Sequence, residues 1–169
     1  MKVGVTGHRW NKIGRQARPA LSRRLRQTFR SLDEKVPGPK TLLCGMAEGT
    51  DLCAASVRPE HWALEAILPL EPAAWQAHLA QTAGDDDAAL FDRLIRDARV
   101  EVPVHGNETG YVATGIRLSE ISERLIAVWD GKPGLPGGVA ETVARCRARG
   151  IPVEIIPAQA VDPSVERSG

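Results

Sequence analysis

The sequence predicts an α/β domain, a mostly parallel sheet covered by helices. Three observations carry that expectation. Short β-branched runs alternate with longer amphipathic stretches along the chain. The 169 residues are 43% hydrophobic and 25% charged, which suits one domain closing one core. Glycine-rich segments follow three of the expected strands, where open parallel sheets carry their ligand loops.

The first strand is expected over Lys2–Thr6, followed by a loop from Gly7 to Gly14. Ala17, Leu21, Leu25, Phe29 and Leu32 then form a helical apolar stripe, stopped by Pro37, Gly38 and Pro39. Thr41–Cys44 reads as the second strand, and a short helix follows the turn Gly45–Asp51. Ala63–Leu68 is the third strand, ended by Pro69. Pro72–Ala80 reads as a short helix, and Asp85, Asp86 and Asp87 open another. Three acids in a first turn match a helix dipole better than a metal. Val100–Val104 is the fourth strand, Glu108–Glu123 a helix, Leu125–Trp129 the fifth strand, Gly138–Arg149 a helix and Ile151–Ile156 the last strand. The domain is expected over residues 1–156, with 157–169 as a polar, aperiodic tail.

Composition removes several function classes. The formal net charge of +1 gives no global attraction for duplex DNA, although Lys2 to Arg30 holds nine Lys or Arg and no acid. Cys44, Cys53 and Cys146 are odd in number and lack metal-site spacing, so free thiols in a reducing cytoplasm are expected. No targeting segment or membrane span is visible, and no His, Cys or carboxylate cluster has zinc spacing. The dinucleotide fingerprint, the P-loop and the serine nucleophile elbow are missing. No metal or cofactor is implied.

Three loops are left to carry chemistry. In Thr6-Gly7-His8-Arg9, Gly7 permits close backbone approach to a ligand, Thr6 donates a hydrogen bond and Arg9 grips a phosphate or carboxylate. His8 is either a proton donor or, more simply, a satisfied loop histidine. In Cys44-Gly45-Met46-Ala47-Glu48-Gly49-Thr50-Asp51, a strand enters a turn and a helix starts near Thr50, leaving amides for an anion. Asp51 either caps that helix or holds a ribose or base group; Glu48 sits in the turn itself. The third loop runs from Trp129-Asp130-Gly131 to Pro136-Gly137-Gly138 at the mouth of a helix, with Thr142 one turn further in. Glu141 there either compensates the helix dipole or faces the ligand.

The runs VGVTGHR, CGMAEGTDLCAA and LIAVWDGKPGLPGGVAETV resemble the Smf/DprA–LOG superfamily, called SLOG, over roughly residues 1–156. GMAEGTD is similar to the glycine-rich turn of the DNA-processing branch, PGGVAET to the Pro-Gly-Gly signature of the LOG branch, and VTGHR to the YpsA-like stand-alone members. The resemblance implies a Rossmann-like three-layer α/β/α sandwich that binds nucleotides or their derivatives. It also implies a homodimer and, for a sensor, a separate effector protein. In the LOG branch it implies hydrolysis of the N-glycosidic bond of a nucleoside 5′-monophosphate, with Pro-Gly-Gly-x-Gly-Thr-x-x-Glu at the site. Here Ala140-Glu141 stands where that motif has Gly-Thr, and Ala144 where it has Glu.

The leading expectation is therefore a module that binds a nucleotide or a nucleotide-derived molecule. The alternative is a phosphoribohydrolase using Glu141 or Glu48 as the acid. Single-stranded DNA binding is a third reading, weakened by seven Phe, Trp or Tyr residues (two, four and one) and the near-zero net charge. Trp62 and Trp75 are expected to pack under loops, Trp10 and Trp129 lie in or beside ligand loops, and Tyr111 is a candidate lining residue. Arg117 lies further along the same helix, which members of the superfamily often aim at the crevice or at a dimer partner.

Overall fold

A computed structural model describes residues 1–163. The chain starts with β1 (Lys2–Gly7), a single turn α1 (Trp10–Ile13) and a long helix α2 (Arg18–Lys35), which has Pro19 near its start. Next come β2 (Thr41–Cys44), α3 (Thr50–Val57), β3 (Ala63–Ile67), α4 (Pro72–Thr82), α5 (Asp85–Ile95) and β4 (Arg99–Glu101). The last part is α6 (Gly110–Ile121), β5 (Arg124–Trp129), α7 (Val139–Ala148), β6 (Val153–Pro157) and a 3-10 turn, Ala158–Val161. All pairings are parallel, in the order β4-β3-β2-β1-β5-β6.

Alternation along the strands divides the core into two layers. Val3, Val5, Leu42, Cys44, Ile126 and Val128 face Leu21, Leu25, Phe29 and the other buried residues of α2 to α5. Each of those large apolar side chains contributes about 1.5–3 kcal/mol by leaving water. On the opposite face Leu43, Ile67, Leu125 and Ala127 pack with Leu118 of α6 and Val143 and Cys146 of α7. The expected three-layer α/β architecture is present.

Local differences have identifiable causes. The Gly7–Gly14 loop contains α1, because the Trp10 ring is buried and its Nε1 donates to Asp87 at 3.2 Å. Asp87 also receives Arg15 at 3.0 Å and is 1% exposed, so it anchors this loop as well as opening α5. β4 stops at Glu101, short of the expected Val104, since Pro103 has no N–H for the ladder. The chain stays ordered past residue 156: Val161 is 1% exposed and belongs to the core. The rest of the expected tail, 164–169, lies outside the described residues. Among the described residues no helix is long and apolar enough to cross a membrane.

Candidate functional site

The sheet order reverses at β1, which has β2 on one side and β5 on the other. The connections from β1 and β5 leave towards opposite faces there, so a crevice opens at the carboxyl ends of these strands. Thr6 pairs with Ala127 and Gly7 with Val128, and the His8 N–H continues the ladder to the Val128 carbonyl at 3.0 Å.

The first two loops are locked together behind the crevice. The Thr50 hydroxyl and N–H both donate to the His8 carbonyl, at 2.9 and 3.2 Å. A Cβ on Gly7 would stand 2.5 Å from Thr50 Oγ1. Gly49 has φ of 94°, and a Cβ there would stand 2.7 Å from Arg9 Cα. Close approach at these glycines thus serves loop against loop. Met46 is a buried non-glycine residue at φ of 58°, in a region that costs an L-residue about 1–2 kcal/mol. Its carbonyl accepts Trp75 Nε1 at 3.1 Å, which pins the turn.

Asp51 does not occupy the cap position; Gly49 does, and Asp51 lies in the first turn of α3. Its Oδ2 accepts the Ala47 N–H at 3.3 Å. Burial pushes the Asp51 carboxyl up to about 7, against the lowering influence of the Ala47 N–H and Arg9. Glu48 meets the site through Arg9, with Oε1 3.9 Å from the guanidinium.

The third loop uses its own polar groups. The His8 Nε2 lies 3.1 Å from the Asp130 nitrogen, whose N–H it accepts when neutral, and 3.1 Å from Asp130 Oδ1, which it pairs with when protonated. The Lys132 N–H bond, with His8 beside it, holds the Asp130 carboxyl below its usual range. Trp129 Nε1 donates to the Lys132 carbonyl at 2.9 Å. The Gly137 N–H donates to Glu141 Oε2 at 3.0 Å, and the Gly138 N–H to the Leu135 carbonyl at 3.0 Å. Those two amides are therefore not the anion cradle that the sequence suggested. The unpaired amides of an α-helix start belong to its first residues, here from Val139 onward. Glu141 also takes Arg145 at 2.6 Å; the Gly137 N–H and Arg145 hold its carboxyl below the ordinary range. It acts as a variant of the capping box, reaching back from the third helical position.

The crevice has an outer and an inner part. The outer cleft, about 540 Å³, is lined by Gly7 to Arg9, Asn11, Lys12, Tyr111 and the segment Lys132–Val139. Arg9, Lys12 and Lys132 bring three positive charges to it, and among the described residues no carboxylate lines it. The inner chamber, about 80 Å³, is lined by Thr6, Gly45, Ala47, Asp51, Thr114 and Thr142 among others. Gly7, Arg9, Tyr111, Gly137, Gly138 and Val139 border both parts. Met46, Glu48, Gly49, Thr50, Trp129, Asp130, Gly131 and Glu141 line neither part.

Tyr111 carries the Arg9 guanidinium 4.6 Å from its ring centroid and meets Trp75 edge-on at 5.8 Å. Arg117 instead pairs with Glu101 at 2.7 Å, away from the cleft. Thr114, Gly115, Asn11, Lys12 and Val139 were not singled out by the sequence. For α6 a signal existed: Tyr111, Thr114, Gly115 and Leu118 follow the spacing of one helix face, and all four line the chamber. A groove of about 570 Å³ between α4 and α5 is lined mainly by alanines and charged side chains and shares no lining residue with the crevice. Among the described residues no group of three or more His, Cys, Asp or Glu could hold a metal ion.

A scan against family models finds no match, and neither does a search of curated proteins. Among solved structures the chain is similar to TM1055, a structural-genomics target, with a TM-score of 0.53 and 19% identity over 90% of this chain and 71% of that one. That likeness shows the fold: a Rossmann-like α/β sandwich.

Proposed function

We propose that the crevice binds a nucleotide or a nucleotide-derived small molecule, and that the chain is a member of the SLOG superfamily. The observation that carries this is the outer cleft itself. It sits at the reversal of strand order, gathers Arg9, Lys12 and Lys132, and ends at the start of α7. Phosphate oxygens placed there meet both cationic side chains and helix-start amides. Tyr111 on one side and Pro133, Leu135 and Pro136 on the other give a base apolar walls.

A phosphoribohydrolase is the second reading, and Asp51 is the observation that favours it. A buried carboxyl pushed up to about 7 at the end of the crevice suits a proton donor better than Glu141, whose oxygens hold Gly137 and Arg145.

The test is a thermal-shift panel of nucleoside mono-, di- and triphosphates, ADP-ribose, NAD and cyclic nucleotides, each mixture then resolved by chromatography. A ligand that binds only the folded state raises its apparent stability by mass action. A shift with intact ligand supports a binding module. A shift with free base and ribose phosphate supports the hydrolase. No shift with any member of the panel contradicts both.

A further inference from the structure

One residue on the wall of the inner chamber, Thr114, carries a hydroxyl that the protein itself leaves unused. Thr114 Oγ1 is buried without a hydrogen-bond partner, on a residue only 9% exposed. A hydroxyl in that state costs free energy in the empty protein, so a ligand group able to pair with it recovers that cost. Thr142, Asp51 and Thr6 share the chamber with Thr114. The Thr142 hydroxyl donates to the Gly138 carbonyl, which leaves its oxygen to accept. Asp51, 9% exposed, offers a carboxyl group, and Thr6 stands at the end of β1. At about 80 Å³ the chamber has room for a few non-hydrogen atoms and none for a base or a phosphate chain. No cationic side chain other than Arg9 lines it, so a phosphate finds its partners in the outer cleft.

We propose that Thr114 and Asp51 read a vicinal diol, so that the chamber selects a ribose over a 2′-deoxyribose. The 3′-hydroxyl donates to the Asp51 carboxylate, and the 2′-hydroxyl exchanges a hydrogen bond with Thr114 Oγ1. This rests on the nucleotide reading of the crevice and assigns its sugar subsite.

The experiment titrates AMP, GMP, CMP and UMP, and the four matching 2′-deoxynucleotides, into the full chain by calorimetry. Wild type, Thr114→Val and Asp51→Asn are compared. Valine keeps the shape of threonine and removes only the hydroxyl. Wild type is expected to favour at least one ribonucleotide over its deoxy counterpart by roughly tenfold or more, since a buried group left unpaired is penalised. Thr114→Val is expected to cut that preference to near one while deoxynucleotide affinity stays unchanged. It is also expected to raise the melting temperature of the ligand-free protein, because the orphaned hydroxyl is gone. Asp51→Asn serves as the second variant and should weaken the ribo and deoxy forms alike, because both carry the 3′-hydroxyl. Equal binding of the ribo and deoxy forms by wild type, or a preference that survives Thr114→Val, overturns the diol assignment and leaves the nucleotide reading standing. Absence of binding by all eight overturns the nucleotide reading and this assignment with it.

Discussion

The Arg9 guanidinium lies 4.6 Å from the centre of the Tyr111 ring, which places a fixed positive charge where the outer and inner parts of the crevice meet. The planar ion rests on the ring face, and Trp75 supports that ring edge-on. Arg9→Ala is expected to weaken binding of a phosphorylated ligand about tenfold to a hundredfold, with little change in melting temperature. Arg9→Lys is expected to restore only part of it, because an ammonium neither stacks nor forks. Isothermal titration of the three proteins checks this.

Gly49 tests how tightly the first two loops are joined. Its φ of 94° is unfavourable for any other residue, and a Cβ would meet backbone of Arg9 and His8 within 3.0 Å. Gly49→Ala is expected to destabilise the fold by roughly 2 kcal/mol or more. Urea unfolding would show it as a lower midpoint at unchanged slope.

Glu141 has a different signature. Glu141→Ala removes the partner of the Gly137 N–H and of Arg145 and is expected to cost about 1 kcal/mol. Glu141→Gln keeps an acceptor for Gly137, so most of the stability should remain. If the chain turns a nucleotide over, Glu141→Gln should retain that turnover and Asp51→Asn should lose it. Single-turnover assays of both variants separate the two carboxyls.

Asp51 also makes stability depend on pH. Its folded pKa of about 7 lies above the unfolded value of 3.8, so the folded state holds the proton more tightly between them. The protonated group costs nothing extra at pH 4. Stability is lost as pH rises from about 4 to about 7 and levels off above that. Asp51→Asn is therefore expected to raise the melting temperature by several degrees at pH 8 and hardly at pH 4. Calorimetric scans of both proteins across that range would reveal a flatter profile in the variant.

The sheet was legible because its signals are local. Val3 and Val5, Leu42 and Cys44, and Ile126 and Val128 alternate in short runs bounded by glycine or proline, and each became a strand. Where a long-range contact decides the structure, the sequence was silent. Trp10 folds its loop into a helical turn because Asp87 waits 77 positions away, and nothing near Trp10 announces that partner. The same limit governs the site. The loops were visible as glycine runs, yet the glycine amides at 137 and 138 are consumed by Glu141 and Leu135. Thr114 lines the chamber from α6, which follows no glycine-rich loop among the three that the sequence singled out.

The most direct measurement is a backbone amide NMR titration with AMP, ADP-ribose and the other ligands of the thermal-shift panel. The account predicts that a binding nucleotide perturbs Gly7 to Lys12 and Lys132 to Val139 together, with Thr114 responding in the inner chamber. Spectra unchanged by every ligand, or changes gathered in the groove between α4 and α5, would contradict it.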